Sequence, residues 1–214
     1  MSSHIPYKFI AVEGNIGAGK TSLASILSTR YNALLALEEF ADNTFLPQFY
    51  LQPERYAFPL ELSFLAERYQ QLNSKIRVGQ EQETILVSDY LFEKSLLFAQ
   101  VNLSGDELKL FNRFFDMMKP TIATPDLIIY LDKTTPALAR NITKRGRNFE
   151  KEISEDYLQR VSNAYHQHLE TIKDIPVLFF QSDEMDFIND HAHLKFILSQ
   201  LEHKRSAGLH KMKL

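Results

Sequence analysis

Eight consecutive residues, Gly14-Asn15-Ile16-Gly17-Ala18-Gly19-Lys20-Thr21, constrain this chain more than any other feature. They spell G-x4-G-K-[ST]. They lie directly after an apolar run at residues 7–13 (YKFIAVE) and directly before residues 21–30, which read as a helix. That order predicts a phosphate-binding loop between a buried strand and a helix. Glycines let the backbone approach phosphates and turn its N–H groups toward them, and the helix N-terminus adds a dipole of favourable sign. The expected nucleotide-binding residues are Gly14, Asn15, Ile16, Gly17, Ala18, Gly19, Lys20, Thr21 and Ser22. Lys20 is expected to bridge the β- and γ-phosphates of ATP, and Thr21 to offer its hydroxyl to Mg²⁺. The bland alternative is a glycine turn that only links strand to helix; the complete motif in its strand–helix setting argues against it.

The rest of the sequence alternates strand and helix, the mark of an α/β fold with a parallel sheet. Strands are expected at residues 7–13, 34–37, 84–88, 127–131 and 176–180. Helices are expected at 21–30, 56–78, 91–101, 106–118, 136–144, 153–172 and 190–201. In the long helix, Phe58, Leu62, Leu65, Tyr69, Leu72 and Ile76 recur at helical spacing, and Pro59 is tolerable if it sits in the first turn. The expectation is a single domain over residues 1–205, with five parallel strands, helices on both faces and a frayed tail at 206–214. Ligands in such sheets bind at the carboxyl ends of the strands.

Composition narrows the class. With 214 residues and 44% hydrophobic content the chain can bury one sizeable core. A net charge of −3 argues against a dedicated nucleic-acid binder. There is no cysteine, which rules out thiolate metal sites and thiol nucleophiles and fits the reducing cytoplasm. No apolar run approaches the ~20 residues of a membrane span, and the first eight residues do not read as a secretory signal.

Chemistry-bearing residues fall where strands end. Asp89 follows the third strand and suits a Mg²⁺ shell, with a helix N-cap as the structural alternative. Glu38 ends the second strand. A late basic segment, Lys144-Arg145-Gly146-Arg147-Asn148-Phe149-Glu150, lies between two helices. Arginines there could close over phosphates as a lid at about residues 144–152, or form a solvated turn. The N-K-x-D base-reading motif of GTPases is absent, and the chain is small for a motor ATPase, which leaves a small-molecule kinase.

The ordered set is more selective than the loop. It comprises E-G-N-I-G-A-G-K-T-S; Glu38 with Asp42-Asn43; Phe49-Tyr50 followed by Pro53-Glu54-Arg55-Tyr56-Ala57-Phe58; Asp89; Arg145-Gly146-Arg147-Asn148-x-Glu150; and Ile153 with Tyr157-Leu158. On these pieces, spread over most of the chain, it resembles the deoxynucleoside kinase family. The resemblance implies ATP-dependent 5′-phosphorylation of a deoxynucleoside in nucleotide salvage. It makes Glu38 the catalytic base, Tyr50 and Glu150 the grip on the sugar 3′-hydroxyl, and Arg145 and Arg147 the lid arginines. Glu39 stands where the family commonly has proline and is assigned no role; Arg140 is expected to make structural contacts. Family members are often homodimers, and residues 91–118 are apolar enough to allow this. Phe45, Phe49, Phe58, Phe64 and Phe98 are candidates for an apolar base pocket, Phe58 carried as a substrate contact, although aromatics at helical spacing are more often core.

Two positions depart from the family pattern. Glu61 replaces a usual glutamine. An ionised carboxylate offers only acceptors, which suits the two adjacent donors of guanine and leaves adenine's lone pair opposed. A tilt toward deoxyguanosine follows if Glu61 points into the pocket rather than to solvent. Tyr90 replaces a usual arginine after the acid, and Lys94, one helical turn on, is a candidate for the missing positive charge. Two other readings compete: a nucleoside monophosphate kinase of thymidylate kinase type, which would need arginines near Asp89, and a non-catalytic nucleotide-binding regulatory module. The loop at 182–187 holds the usual place for the adenine of ATP.

Overall fold

The structure is a computed structural model and describes residues 5–38 and 43–213. Glu39 and Asp42 lie outside the described residues. The sheet has six parallel strands in the order β2-β3-β1-β4-β5-β6. They are β1 (Phe9–Gly14), β2 (Leu34–Ala36), β3 (Leu86–Ser88), β4 (Leu127–Asp132), β5 (Pro176–Gln181) and β6 (Gly208–Met212). The helices are α1 (Lys20–Tyr31), α2 (Phe45–Leu51), α3 (Pro53–Glu81), α4 (Lys94–Asn102), α5 (Gly105–Met118), α6 (Thr135–Arg145), α7 (Glu155–Thr171) and α8 (His191–Leu201). None of the described helices is long and apolar enough to cross a membrane.

The central strands are continuous apolar runs because both faces of the sheet are covered. Alternation along them feeds two cores. Phe9, Ala11, Ile128 and Tyr130 pack with residues of α2, α3, α4, α5 and α7, including Phe49, Phe64, Leu97, Phe111 and Tyr165. Ile10, Val12, Ile129 and Leu131 pack on the opposite face with Leu23, Leu138 and Ile197 of α1, α6 and α8. Register then fixes the site: Ala36 pairs with Ser88, and Ser88 with Ala11. The residues that follow these positions therefore emerge side by side at one edge.

The fold is α/β with a parallel sheet flanked by helices, as read from the sequence, with three differences. The segment expected to fray is a sixth strand, with Val177 opposite Leu209 and Phe180 opposite Met212. Its polar residues hide it from periodicity; an edge strand needs only one neighbour. The long helix begins at Pro53, so Pro59 lies inside it rather than in its first turn. There it removes one backbone donor. The helix of residues 45–51 has no expected counterpart, being too short to show a period.

Tyr7 fastens the sixth strand to the first. Its buried hydroxyl donates to the His203 carbonyl (3.0 Å) and accepts from the Arg205 N–H (3.0 Å), just before β6. Tyr7→Phe is expected to cost about 2 kcal/mol for these two backbone partners and to lower Tm by about 4–8 °C. Thermal unfolding measures the loss, and amide hydrogen exchange is expected to lose protection across residues 208–212 before the central strands.

Candidate active site

The loop after β1 is shaped by steric necessity. At Gly17 (φ +83°) a Cβ would lie 2.9 Å from the Leu138 carbonyl oxygen, so only glycine fits. At Gly19 (φ +99°) a Cβ would lie 3.2 Å from the ring of buried Phe187, which packs on the loop from the segment after β5. Gly19 leads into α1 with no side-chain cap. The first N–H groups of α1 are therefore left for an anion. The Lys20 ammonium reaches back to the Asn15 carbonyl at 2.9 Å. Burial and the nearby Lys94 pull Lys20 down to about 8, against Glu13, Glu38 and Asp89. Asn15 holds the loop from beneath. Its amide donates to the Leu158 carbonyl and the Ser162 hydroxyl, both at 2.7 Å, tying the loop to α7.

Glu13, the residue before the loop, is a fully buried carboxylate that sequence reasoning gave no role. It accepts from the Leu91 N–H (2.6 Å), the Tyr165 hydroxyl (2.8 Å) and the Gly14 N–H (3.2 Å). Burial raises its pKa; Lys94, Lys20 and these hydrogen bonds oppose the rise. The carboxylate thus pins the entry to α4 and the middle of α7 to the strand that carries the phosphate loop.

Asp89 is the junction beside it. One oxygen accepts the Thr21 hydroxyl at 2.5 Å and the other the Glu38 N–H at 2.7 Å. Thr21 and Asp89 present adjacent oxygen donors beside the uncapped helix start. This suits Mg²⁺, which takes one or two protein oxygens and completes its shell with phosphates and water.

Glu38 faces two cations. Arg68 of α3 donates to its Oε1 from Nε (2.9 Å) and Nη2 (2.6 Å), and Lys94 of α4 donates to its Oε2 at 2.6 Å. Burial pushes this carboxyl up, but Lys94, Arg68 and Lys20 outweigh it and hold it well below the usual carboxylate range. Arg68 was not singled out from the sequence; nothing local distinguishes it from the other cations of a long helix.

These groups line one cavity, which Ile16, Gly17, Lys20, Thr21, Glu38, Phe49, Tyr50, Glu61, Phe64, Arg68, Asp89, Lys94, Phe98, Arg145, Arg147, Phe149, Glu150 and Tyr157 share. Arg145 grips Glu150 with Nε (3.0 Å) and Nη2 (2.6 Å), and Arg147 reaches the same carboxylate at 3.3 Å. α6 ends at left-handed Gly146, so the chain turns back and brings both arginines over Glu150. Tyr50 packs edge-on to Phe49 and Tyr157. Phe58 is not part of the lining and packs against the core instead. At about 100° per residue it sits a sixth to a third of a turn away from Glu61, Arg68 and Phe64, which do face the cavity. Phe45 is likewise absent from the wall, whereas Phe49, Phe64 and Phe98 form it.

Glu61 points inward and is 1% exposed. Its Oε1 accepts from the Asn102 amide at 2.7 Å, and that amide also reaches the Tyr157 hydroxyl at 3.1 Å. Its Oε2 is buried without a partner among the described residues. Burial raises this carboxyl to about 7, although Arg68, Asn102 and Lys94 lower it and Glu38 adds to the rise.

The sequence matches the family model described as "Deoxynucleoside kinase" over residues 10–204. It is 31% identical to a deoxyguanosine kinase of Bacillus subtilis over 91% of this chain and 96% of that one. It is 34% identical to a deoxyadenosine kinase of Dictyostelium discoideum over 92% and 80% of the two chains. Among solved structures, a deoxyadenosine kinase from M. mycoides with bound dATP superposes with a TM-score of 0.78 at 21% identity, covering 94% of this chain and all of that one, a likeness of fold. With the phosphate loop, the carboxylate between two cations and the arginine-covered cavity assembled at one sheet edge, the chain belongs to the deoxynucleoside kinase family and is a phosphotransferase.

Proposed function

We propose that this kinase transfers the γ-phosphoryl group of Mg·ATP to the 5′-hydroxyl of deoxyguanosine. The observation that carries the choice of base is Glu61: a buried carboxylate in the cavity wall with one oxygen fixed by Asn102 and the other unpartnered. Guanine offers N1–H and N2–H side by side, two donors that a carboxylate accepts together. Adenine offers a donor beside an acceptor and would set its lone pair against the carboxylate. A pocket with a buried hydrogen-bonding group discriminates strongly because the wrong ligand leaves that group unpaired.

At the other end of the cavity, Glu38 is the base. Its carboxylate, kept ionised by Arg68 and Lys94, takes the proton of the attacking hydroxyl. Tyr50 and Glu150 hold the sugar, and Lys20, Arg145 and Arg147 face the phosphates. Thr21 and Asp89 hold Mg²⁺, which neutralises phosphate charge when bound. Phe49, Phe64 and Phe98 shape the apolar walls, and the lid arginines, each about one-third exposed, close against water. The lack of cysteine fits a cytoplasmic salvage enzyme.

A panel of deoxynucleosides, ribonucleosides and nucleoside monophosphates with Mg·ATP tests this directly. Deoxyguanosine is expected to give the highest kcat/KM. Glu61→Gln is expected to lower deoxyguanosine kcat/KM by about 100-fold, the worth of two charge-assisted contacts, and to raise that for deoxyadenosine. A rise for deoxyguanosine in that variant would reverse the assignment.

The same carboxyl sets a pH signature. Glu61 faces Arg68 on its own helix, Asn102 and Lys94 of α4, Tyr157 of α7, Tyr50 of α2 and Glu38 after β2. Its ionised form, which accepts both guanine donors, dominates above pH 7. Deoxyguanosine kcat/KM is therefore expected to climb between pH 6 and 8, while deoxyadenosine kcat/KM falls over the same window. Glu61→Gln is expected to flatten both profiles, checked by initial rates at subsaturating nucleoside.

A further inference from the structure

The two cations on Glu38 are anchored in different ways. Arg68 is fixed at several points. Nε and Nη2 clasp Glu38 Oε1, Nη1 donates to the Ser95 hydroxyl at 2.9 Å, and the guanidinium lies 4.8 Å from the centre of the Phe64 ring. Lys94 makes one hydrogen bond among the described residues, to Glu38 Oε2. Its ammonium otherwise rests 5.5 Å from the centre of the Phe98 ring. An ammonium has three donors on a stem of rotatable bonds, so Lys94 retains donors for another partner while Arg68 is committed. Lys94 is buried and lines the cavity with Lys20, Thr21, Asp89, Arg145 and Arg147. It is close enough to Lys20 to be a main cause, after burial, of that lysine's lowered pKa. Its charge is therefore felt where the phosphate loop would hold the transferring group.

We propose that Lys94 is a catalytic cation that passes from Glu38 to the transferring phosphoryl group as the reaction proceeds. The inference rests on the reading of Glu38 as the base. Glu38 Oε2 takes the proton of the attacking 5′-hydroxyl, and the bond from that oxygen to the γ-phosphorus forms. The bond from the γ-phosphorus to the bridging oxygen breaks, and its electron pair leaves on ADP. Once Glu38 is neutral, the buried ammonium has lost its counter-charge. The nearest unpaired negative charge is on the phosphoryl oxygens, and the ammonium swings onto them. Arg68, held by Ser95 and stacked on Phe64, stays and keeps the carboxyl in place.

The test uses the full chain, Mg·ATP and whichever deoxynucleoside the unaltered protein phosphorylates best, so that it does not depend on base preference. Lys94→Met is expected to lower kcat by about 1000-fold while the nucleoside KM stays within about threefold, the split of an interaction made mainly in the transition state. Lys94→Ala, which opens space for the missing group, is expected to regain at least about tenfold in kcat on adding propylammonium, saturably, and nothing on adding 1-butanol, which lacks the charge. A kcat loss under tenfold in Lys94→Met, no amine rescue, or equal rescue by the alcohol would overturn the proposal. So would failure of both variants to bind ATP by calorimetry, which marks a structural role. Glu38→Gln run in parallel separates the two ideas. If it abolishes turnover and Lys94→Met does not, only the Lys94 proposal falls. If Glu38→Gln turns over normally, the reading of Glu38 as base falls and takes the proposal with it.

Discussion

The two hydrogen bonds accepted by Asp89 set the frame on which the catalytic edge depends. One draws in the hydroxyl at the start of α1, and the other the backbone just beyond β2. Parallel register brings these chain segments near each other, but register positions backbones and not side chains. Asp89 converts adjacency into a fixed relation between the phosphate loop and Glu38. Glu13 does the same on the far side, joining the loop to the entry of α4 and to Tyr165 of α7. Between them these carboxylates tie the phosphate end of the cavity to the elements that carry Lys94 and the wall of the nucleoside end.

Such an arrangement has a thermodynamic cost. Glu13, Lys20, Glu38, Glu61, Arg68 and Lys94 cluster at one site, and most are removed from water. Buried ion pairs seldom add net stability, because desolvation offsets the attraction. The stabilisation comes from elsewhere, from the two apolar layers on either side of the sheet. The cluster gives preorganisation instead: dipoles and charges are already in position when the substrate arrives. Glu61 is the exception that marks function. Its neighbours hold one oxygen and leave the other unpaired, and a cost of that kind persists where a ligand completes the contact.

What was legible in the sequence was whatever is local. The phosphate loop could be read because strand, glycines, Lys20 and helix are contiguous. Glu38 and Asp89 could be read because a strand end is a local feature and parallel sheets gather strand ends at one edge. Arg68 and Asn102 could not, because their importance lies in what they meet across the fold: Glu38 is 30 residues from Arg68, and Glu61 is 41 from Asn102. Phe58 was misjudged for a related reason. Helical periodicity shows that α3 has an inner side, but that side is wide, and only packing divides it between core and cavity. The strand at 208–212 escaped because its sequence carries little alternation; what places it is Tyr7, some 200 residues earlier.

The geometry of α3 links base selection to chemistry. Glu61, Phe64 and Arg68 lie along one face, and seven residues of helix span about 10 Å, the scale of a nucleoside from its base edge to its 5′-hydroxyl. A single rigid rod therefore carries the group proposed to read the base and the guanidinium that holds the proposed general base. Arg68 also lowers the Glu61 carboxyl, so the two ends share an electrostatic partner as well as a backbone. If the wrong base displaced Glu61, the strain would pass along α3 to Arg68 and then to the orientation of Glu38. Discrimination built this way would act on turnover as well as on binding. Rejection at the base edge would then appear as misalignment at the reacting oxygen, where small displacements weigh most heavily on rate.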